Sequence, residues 1–68
     1  MKRFIKEYAS YTKKEILSND LLNALIKDIA IMRINKILTV YDNGLITIKE
    51  CMDCISNAID YAIAVYNE

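Results

Sequence analysis

The chain contains no proline and only one glycine in 68 residues, so almost nothing in it interrupts a helix. Its many isoleucines would also suit β-strands, because β-branched side chains pack well on a pleated sheet. The spacing decides between the two: apolar residues recur at intervals of three and four rather than two. We therefore predict an all-α protein, a small three-helix antiparallel bundle that forms a single domain over residues 1–68.

Two polar clusters divide the chain into three predicted helices. Residues 18–20 (Ser-Asn-Asp) are types that hydrogen-bond local backbone groups, and residues 42–44 (Asp-Asn-Gly) end in a glycine that can take positive φ. Residues 47–50 (Thr-Ile-Lys-Glu) have the spacing of a capping box. We expect helices over about 2–17, 20–41 and 48–67. A further capping-box pattern at residues 12–15 leaves open a break in the first helix near Ser10.

The second predicted helix carries more apolar surface than one neighbour can cover. Its stripe changes direction: Leu21, Leu22, Leu25, Ile26 and Ile29 form the first half, and Ala30, Ile34, Ile37, Leu38 and Tyr41 form the second. Residues 29–32, where the halves meet, are apolar on every side, which predicts contact on every side. A monomer explains Ile31 least. We therefore expect a homo-oligomer, a dimer, with this helix at its centre.

Composition narrows the classes of function. Nine basic residues balance nine acidic ones, which argues against a nucleic-acid binder that works by bulk electrostatics. Without histidine, no Ser–His–Asp or Cys–His site is possible, and no two carboxylates share an apolar face that would raise a pKa for acid–base catalysis. We expect a protein that is not an enzyme and that has no cofactor, no metal site and no catalytic residues.

Two short motifs resemble chemical sites. Cys51 and Cys54 form a CxxC about one turn inside the third helix, and we expect both side chains to be buried there as small hydrophobic residues. A zinc site would need a second chain to complete its four ligands, and a redox pair would lie at a helix N-terminus.

Residues 39–50 resemble an EF-hand loop at Gly44 and Glu50. Because Thr39 and Tyr41 (the first two ligand positions) stand where that family has Asp or Asn, we expect a plain helical turn without calcium.

The compartment also follows from what the sequence lacks. Charges return at Lys6 and Glu7 before any apolar signal-peptide core, and the most apolar stretch, residues 21–41, is interrupted by four charges. We expect a cytoplasmic protein with free thiols and no membrane partner.

Tyrosine is favoured where one end of the side chain is dry and the other wet, as at protein interfaces. The chain has five tyrosines. As interface residues we predict Tyr8, Tyr11, Ile31, Met32, Leu38 and Tyr61.

Basic and aromatic residues alternate in the first helix, a pattern that also occurs in proteins that bind single-stranded nucleic acid. Residues 1–17, however, carry a net charge of +3 (five basic, two acidic), and residues 47–68 carry −3 (one basic, four acidic). The charges of the first and third helices therefore complement each other within the chain.

The remaining mode of action is contact with another protein. Our leading hypothesis is a small helical interaction protein that oligomerises and binds an unidentified partner to regulate or inhibit it, of the kind frequent in phages and mobile elements. The alternatives are an oligomeric protein with tyrosine-lined pockets for a small ligand, and a regulator that contacts nucleic acid through the basic first helix.

Overall fold

Three helices make up the fold. A computed structural model describes the backbone of residues 3–67 and the side chains of residues 3–64. The helices are α1 (Arg3–Leu17), α2 (Ala24–Asp42) and α3 (Ile48–Asn67), and residues 3–67 contain no strand. The predicted all-α class and the number of helices are therefore confirmed. Lys2, where we expected the first helix to begin, lies outside the described residues.

Helix α1 is continuous, so the alternative break near Ser10 is wrong. Ile5, Ala9 and Ile16 lie on its buried side. Thr12, where the alternative would have started a new helix, is buried among them, and its hydroxyl donates to the carbonyl of Tyr8 at 2.9 Å. A threonine that bonds one turn back satisfies its own hydroxyl and leaves the helix intact.

Helix α2 begins four residues later than we predicted. The Asn19 side chain accepts a hydrogen bond from the backbone N–H of Leu21 at 2.9 Å, which turns the chain and buries Leu22. Asn23 then acts as the N-cap, because its side chain accepts from the N–H of Ile26 at 2.9 Å. Asp20 was the expected start, but the two asparagines supply the local hydrogen bonds that set the boundary.

One side of α2 is buried along the whole helix, and it is the side that we predicted for the second half only. Ala30 and Ile34 are buried, and Ile26 continues this side toward the N-terminus. Ile37, Leu38, Tyr41 and also Ile31 are half-buried and pack against the core. Most of the stripe predicted for the first half is exposed instead, which corrects the expected placement of Leu25 and Ile29.

The connection between α2 and α3 is determined by two local motifs. Gly44 has a φ of 74°; its N–H donates to the Tyr41 carbonyl, and the N–H of Leu45 donates to the Val40 carbonyl. This pair of bonds is the Schellman motif. At the start of α3, the Thr47 hydroxyl accepts from the N–H of Glu50 at 3.1 Å, and the Glu50 carboxylate accepts from the N–H of Thr47 at 2.9 Å, as a capping box requires.

The core lies between all three helices. Helices α2 and α3 form the most extensive pair, and α1 packs across one side of them. The buried residues are Ile5, Ala9, Ile16, Leu22, Ala30, Ile34, Cys51, Ile55, Ala58 and Ala62. Tyr8 of α1 and Ser56 of α3 join these two helices by a hydrogen bond between their hydroxyls. The side of the α2–α3 pair that faces away from α1 is left uncovered.

Substituting Gly44 tests the turn. An added Cβ would meet nothing within 4 Å, so any destabilisation reports the backbone conformation alone. We expect Gly44→Ala to lower the free energy of unfolding by about 1 kcal/mol, and Gly44→Val by more, because L-residues resist positive φ. Gly44→Asn should cost less, since asparagine tolerates that region. Urea denaturation measures all three; equal stability of the alanine and glycine proteins would contradict the assigned turn.

The capping box gives α3 a pH dependence. Hydrogen bonds from the backbone and side chain of Thr47 hold the pKa of Glu50 below its usual value. A lowered folded-state pKa contributes stability above the unfolded-state pKa and loses it as the pH falls through the folded-state pKa. We expect Thr47→Ala to lower the free energy of unfolding at neutral pH by about 1 kcal/mol.

The variant Glu50→Gln tests the pH dependence. In thermal melts at a series of pH values, the stability of this variant should fall less steeply with acidification than that of the wild type. An unchanged slope at acidic pH would contradict the role of the Glu50 carboxylate.

Candidate interaction surface

The structure separates the six predicted interface residues. Tyr8 is half-buried against α3, and Ile31 and Leu38 pack against the core of their own chain. Ile31, the residue that we expected a monomer to explain least, therefore has neighbours within its own chain, and α1 and α3 leave a different side of α2 open; its place in an interface stays a prediction. Tyr11 is exposed on α1, away from that side, and its hydroxyl donates to Glu15 at 3.1 Å, which raises the pKa of Tyr11.

The open side of α2 carries its own apolar stripe. Leu25, Ile29, Arg33, Lys36 and Val40 follow each other at intervals of four, four, three and four, so they share one side of the helix. Leu25 is 68% exposed and Ile29 is 43% exposed, although both are large aliphatic side chains. Met32, one of the predicted interface residues, flanks this stripe and is 69% exposed. We call this side of α2, with the adjoining side of α3, the outer face.

Helix α3 contributes a more polar half of the outer face. Cys54, Asn57 and Tyr61 lie at intervals of three and four and are exposed. Asp53 lies four residues before Asn57, and Asp60 lies three residues after it. Both aspartates are therefore beside Asn57, at the outer edge of α3. The outer face therefore has basic side chains on its α2 half and acidic side chains along its α3 edge.

A groove runs between the two halves. Its larger part has a volume of about 470 Å³. The lining residues are Arg33, Lys36, Ile37, Val40, Ile46, Cys54, Asn57 and Ala58. A smaller hollow of about 70 Å³ lies toward the start of α2 and is lined by Ile26, Ile29, Ala30, Tyr61 and Ala62. Since Ile26 lies near Ala62 while Val40 lies near Cys54, α2 and α3 run antiparallel, as predicted.

One contact crosses the groove. The guanidinium carbon of Arg33 lies 4.0 Å from the centroid of the Tyr61 ring, a cation–π contact between α2 and α3. Such a contact keeps the arginine side chain flat on the ring. Tyr61 is 45% exposed, so part of the stacked pair faces solvent. The prediction of Tyr61 as an interface residue is untested, but the structure places it on the open side.

The sequence contained a signal for the outer face that our prediction did not use. Continued toward the C-terminus, the stripe of Leu25 and Ile29 reaches Arg33 and Lys36, which are charged. Continued toward the N-terminus, the stripe of Ala30 and Ile34 reaches Ile26 and Leu22, which are apolar. The stripe that stays apolar faces the core, and the stripe that ends in charges faces outward.

The two cysteines have different environments, so our expectation of two buried thiols holds for one of them. Cys51 is buried and Cys54 is exposed in the groove, and both are free thiols. Burial, and then the neighbouring Cys54 and Asp42, raise the pKa of Cys51. A thiol with a raised pKa is a poor nucleophile and a poor metal ligand. Because it faces the core of its own chain, Cys51 is not placed to share a zinc site with a second chain.

The described residues form no cluster of side chains that could bind a metal ion. Among the described residues no three His, Cys, Asp or Glu side chains are close enough to hold a metal ion. In the segment that resembles an EF-hand, the Thr39 hydroxyl donates to the Asn35 carbonyl within α2, and the Glu50 carboxylate caps α3. These two side chains are therefore engaged in separate helices. No helix within residues 3–67 combines the length and apolar character needed to cross a membrane.

Comparison with known proteins adds no relative. The chain matches no protein-family model, no curated protein sequence and no solved structure.

The two thiols should react at very different rates with a thiol reagent such as Ellman's reagent. We expect one thiol per native chain to react rapidly, and the second only after denaturation, because Cys51 is fully buried and has a raised pKa. Absorbance of the released thiolate counts the reacted groups. The variant Cys54→Ser should lose the fast phase and Cys51→Ser should retain it; a fast phase in Cys54→Ser would contradict the assigned packing of α3.

Proposed function

We propose that this protein acts by contact: its outer face binds a helical surface of another protein chain and thereby regulates or inhibits that chain. The observation that supports this most strongly is the exposed apolar stripe on α2. Leu25 and Ile29 are far more exposed than the leucine and isoleucines of the core, Met32 is also exposed, and Ile29 lines the smaller hollow. Contiguous apolar surface of this kind, rimmed by charged side chains, is typical of protein interaction sites.

The shape of the outer face favours a helix as its occupant. Two antiparallel helices enclose a shallow apolar groove, into which the ridge of a third helix can pack. Ile37, Val40 and Ala58 line the groove, while Arg33 and Lys36 stand on its α2 side. A partner helix that matches it carries apolar or aromatic side chains for the groove and acidic residues placed to meet these two cations.

The hydrogen bonds of the charged side chains on α1 are also consistent with a role by contact with another protein. On α1, Arg3 donates to Glu7 at 3.0 Å, and Tyr11 donates to Glu15. Carboxylates therefore stand among the basic and aromatic side chains of α1, which weakens the case for nucleic acid at that helix. Regulation by contact, including the inhibitory, phage-type role that we infer from size and composition, needs no catalytic group.

A small anionic ligand is the second candidate function. The groove volume lies within the range of small-molecule sites, and two cations stand beside an apolar lining. This differs from the tyrosine-lined pocket that we expected, because Tyr61 lines the smaller hollow instead. Native mass spectrometry of the purified protein tests this candidate: a bound small molecule that disappears in Lys36→Glu would favour it over a protein partner.

The main test compares two aspartate variants in affinity capture. Ile29→Asp places a charge in the outer face. Leu45→Asp replaces another exposed aliphatic side chain, which is 73% exposed in the turn before α3. We expect a protein chain captured by the wild type, including untagged copies of this chain, to fall by about tenfold or more with Ile29→Asp, because a buried unpaired charge is costly. Leu45→Asp should capture the same chain as the wild type does.

Quantitative mass spectrometry of the captured proteins gives the result, and circular dichroism checks that both variants keep their helices. Equal capture by Ile29→Asp and the wild type would show that the outer face is not the binding surface.

A further inference from the structure

We propose that the occupant of the outer face is a second copy of this chain, held face to face by a twofold axis parallel to the helices, so that α2 of each copy lies against α3 of the other. This inference rests on the proposed function and names the partner at the same surface. It also specifies the predicted homodimer, by assigning which helices meet and in which direction.

The charge distribution of the outer face is the first argument. Beside the groove, the α2 half carries Arg33 and Lys36, and the outer edge of the α3 half carries Asp53 and Asp60; the opposite charges Asp28 and Lys49 lie nearer the starts of α2 and α3. The two sets are at the same level along the helices, because Arg33, Lys36 and Asn57 line one groove and Asn57 lies between the two aspartates. Each copy therefore presents a basic strip and an acidic strip side by side, at matching height.

Two face-to-face arrangements with twofold symmetry are possible, and the charges distinguish them. An axis parallel to the helices keeps every residue at its own level and places the basic strip of one copy opposite the acidic strip of the other. An axis that crosses the helices at right angles in the plane of the interface places α2 against α2 and α3 against α3, so that like charges meet. Each contact occurs twice in a symmetric dimer, which doubles the preference for the first arrangement.

Helix direction agrees with the same choice. An axis parallel to the helices leaves the second copy's α2 parallel to the first copy's α2, and hence antiparallel to the α3 that it touches. All neighbouring helices of the resulting four-helix core then run antiparallel, the arrangement of up-and-down bundles. Leu25, Ile29 and Val40 would be covered by the polar and aromatic half of the other copy, where Tyr61 presents the open part of its ring.

The test exchanges the charges of one strip at a time. Arg33→Glu with Lys36→Glu makes the α2 strip acidic, and Asp53→Lys with Asp60→Lys makes the α3 strip basic. In the proposed dimer each double variant meets like charge in a homodimer, so its dissociation constant should rise by about tenfold or more. An equimolar mixture should form heterodimers, and one chain with all four substitutions should form homodimers again, because opposite charges then face each other.

A matched control carries the same change in net charge as the α2 double variant, but outside the outer face. Lys6→Glu with Lys14→Glu alters two exposed lysines of α1 and should dimerise as the wild type does. Sedimentation equilibrium over a range of concentrations measures every dissociation constant, and circular dichroism confirms that each variant is helical. Recovery in the four-substitution chain also excludes a general folding defect in the double variants.

The outcomes separate this inference from the proposed function. A monomeric wild type at all concentrations, together with partner capture that Ile29→Asp abolishes, would overturn the dimer and leave the proposed function standing. Double variants that dimerise as tightly as the wild type would overturn the α2-against-α3 arrangement. If Ile29→Asp changed neither capture nor mass, both proposals would fail.

Discussion

The pairing of α2 with α3 is the constraint on which the rest of the structure depends. Gly44 and the capping box that follows it reverse the chain through a few residues, so that the two helices must lie side by side. Small side chains at Ala30, Ala58 and Ala62 fill their contact without separating them. Helix α1 then covers one side of the pair. The outer face is the side that α1 does not reach.

The outer face reflects the small size of the chain. A domain of 68 residues buries about 60% of the surface that its unfolded chain exposes, which leaves insufficient interior for a composition that is 54% hydrophobic. Helix α2 shows the consequence within a single element. Its Ala30–Ile34 side is buried, while Leu25 and Ile29 on the other side remain in contact with water. An additional helical surface would relieve that exposure, which connects the energetics of the monomer to a function by contact.

The zero net charge conceals a strong separation of charge on the same face. Arg33 and Lys36 line the groove from α2, whereas Asp53 and Asp60 lie beside Asn57 at the outer edge of α3. Exposed ion pairs of this kind contribute little to affinity, about 0–1 kcal/mol each. Their effect is to select orientation, because the wrong arrangement brings like charges together several times over. In the dimer that we propose, the apolar stripe supplies the attraction, and the two charged strips determine how the second copy is aligned.

The helical class and most local features of this protein could be predicted from the sequence, whereas the burial of individual residues, which depends on neighbouring helices, could not. The Gly44 turn and the Thr47–Glu50 capping box were predictable because each is formed by hydrogen bonds between residues close in the chain. The start of α2 was displaced because Asn19 and Asn23 form local bonds that compete with those expected at Asp20. The charges of Arg33 and Lys36 are a sequence signal for which apolar stripe of α2 faces outward. Which individual side chains are covered, however, depends on where α1 and α3 lie around the helix. Only the tertiary structure decided that Ile31 is covered and Ile29 is not, because burial is a property of the assembled helices.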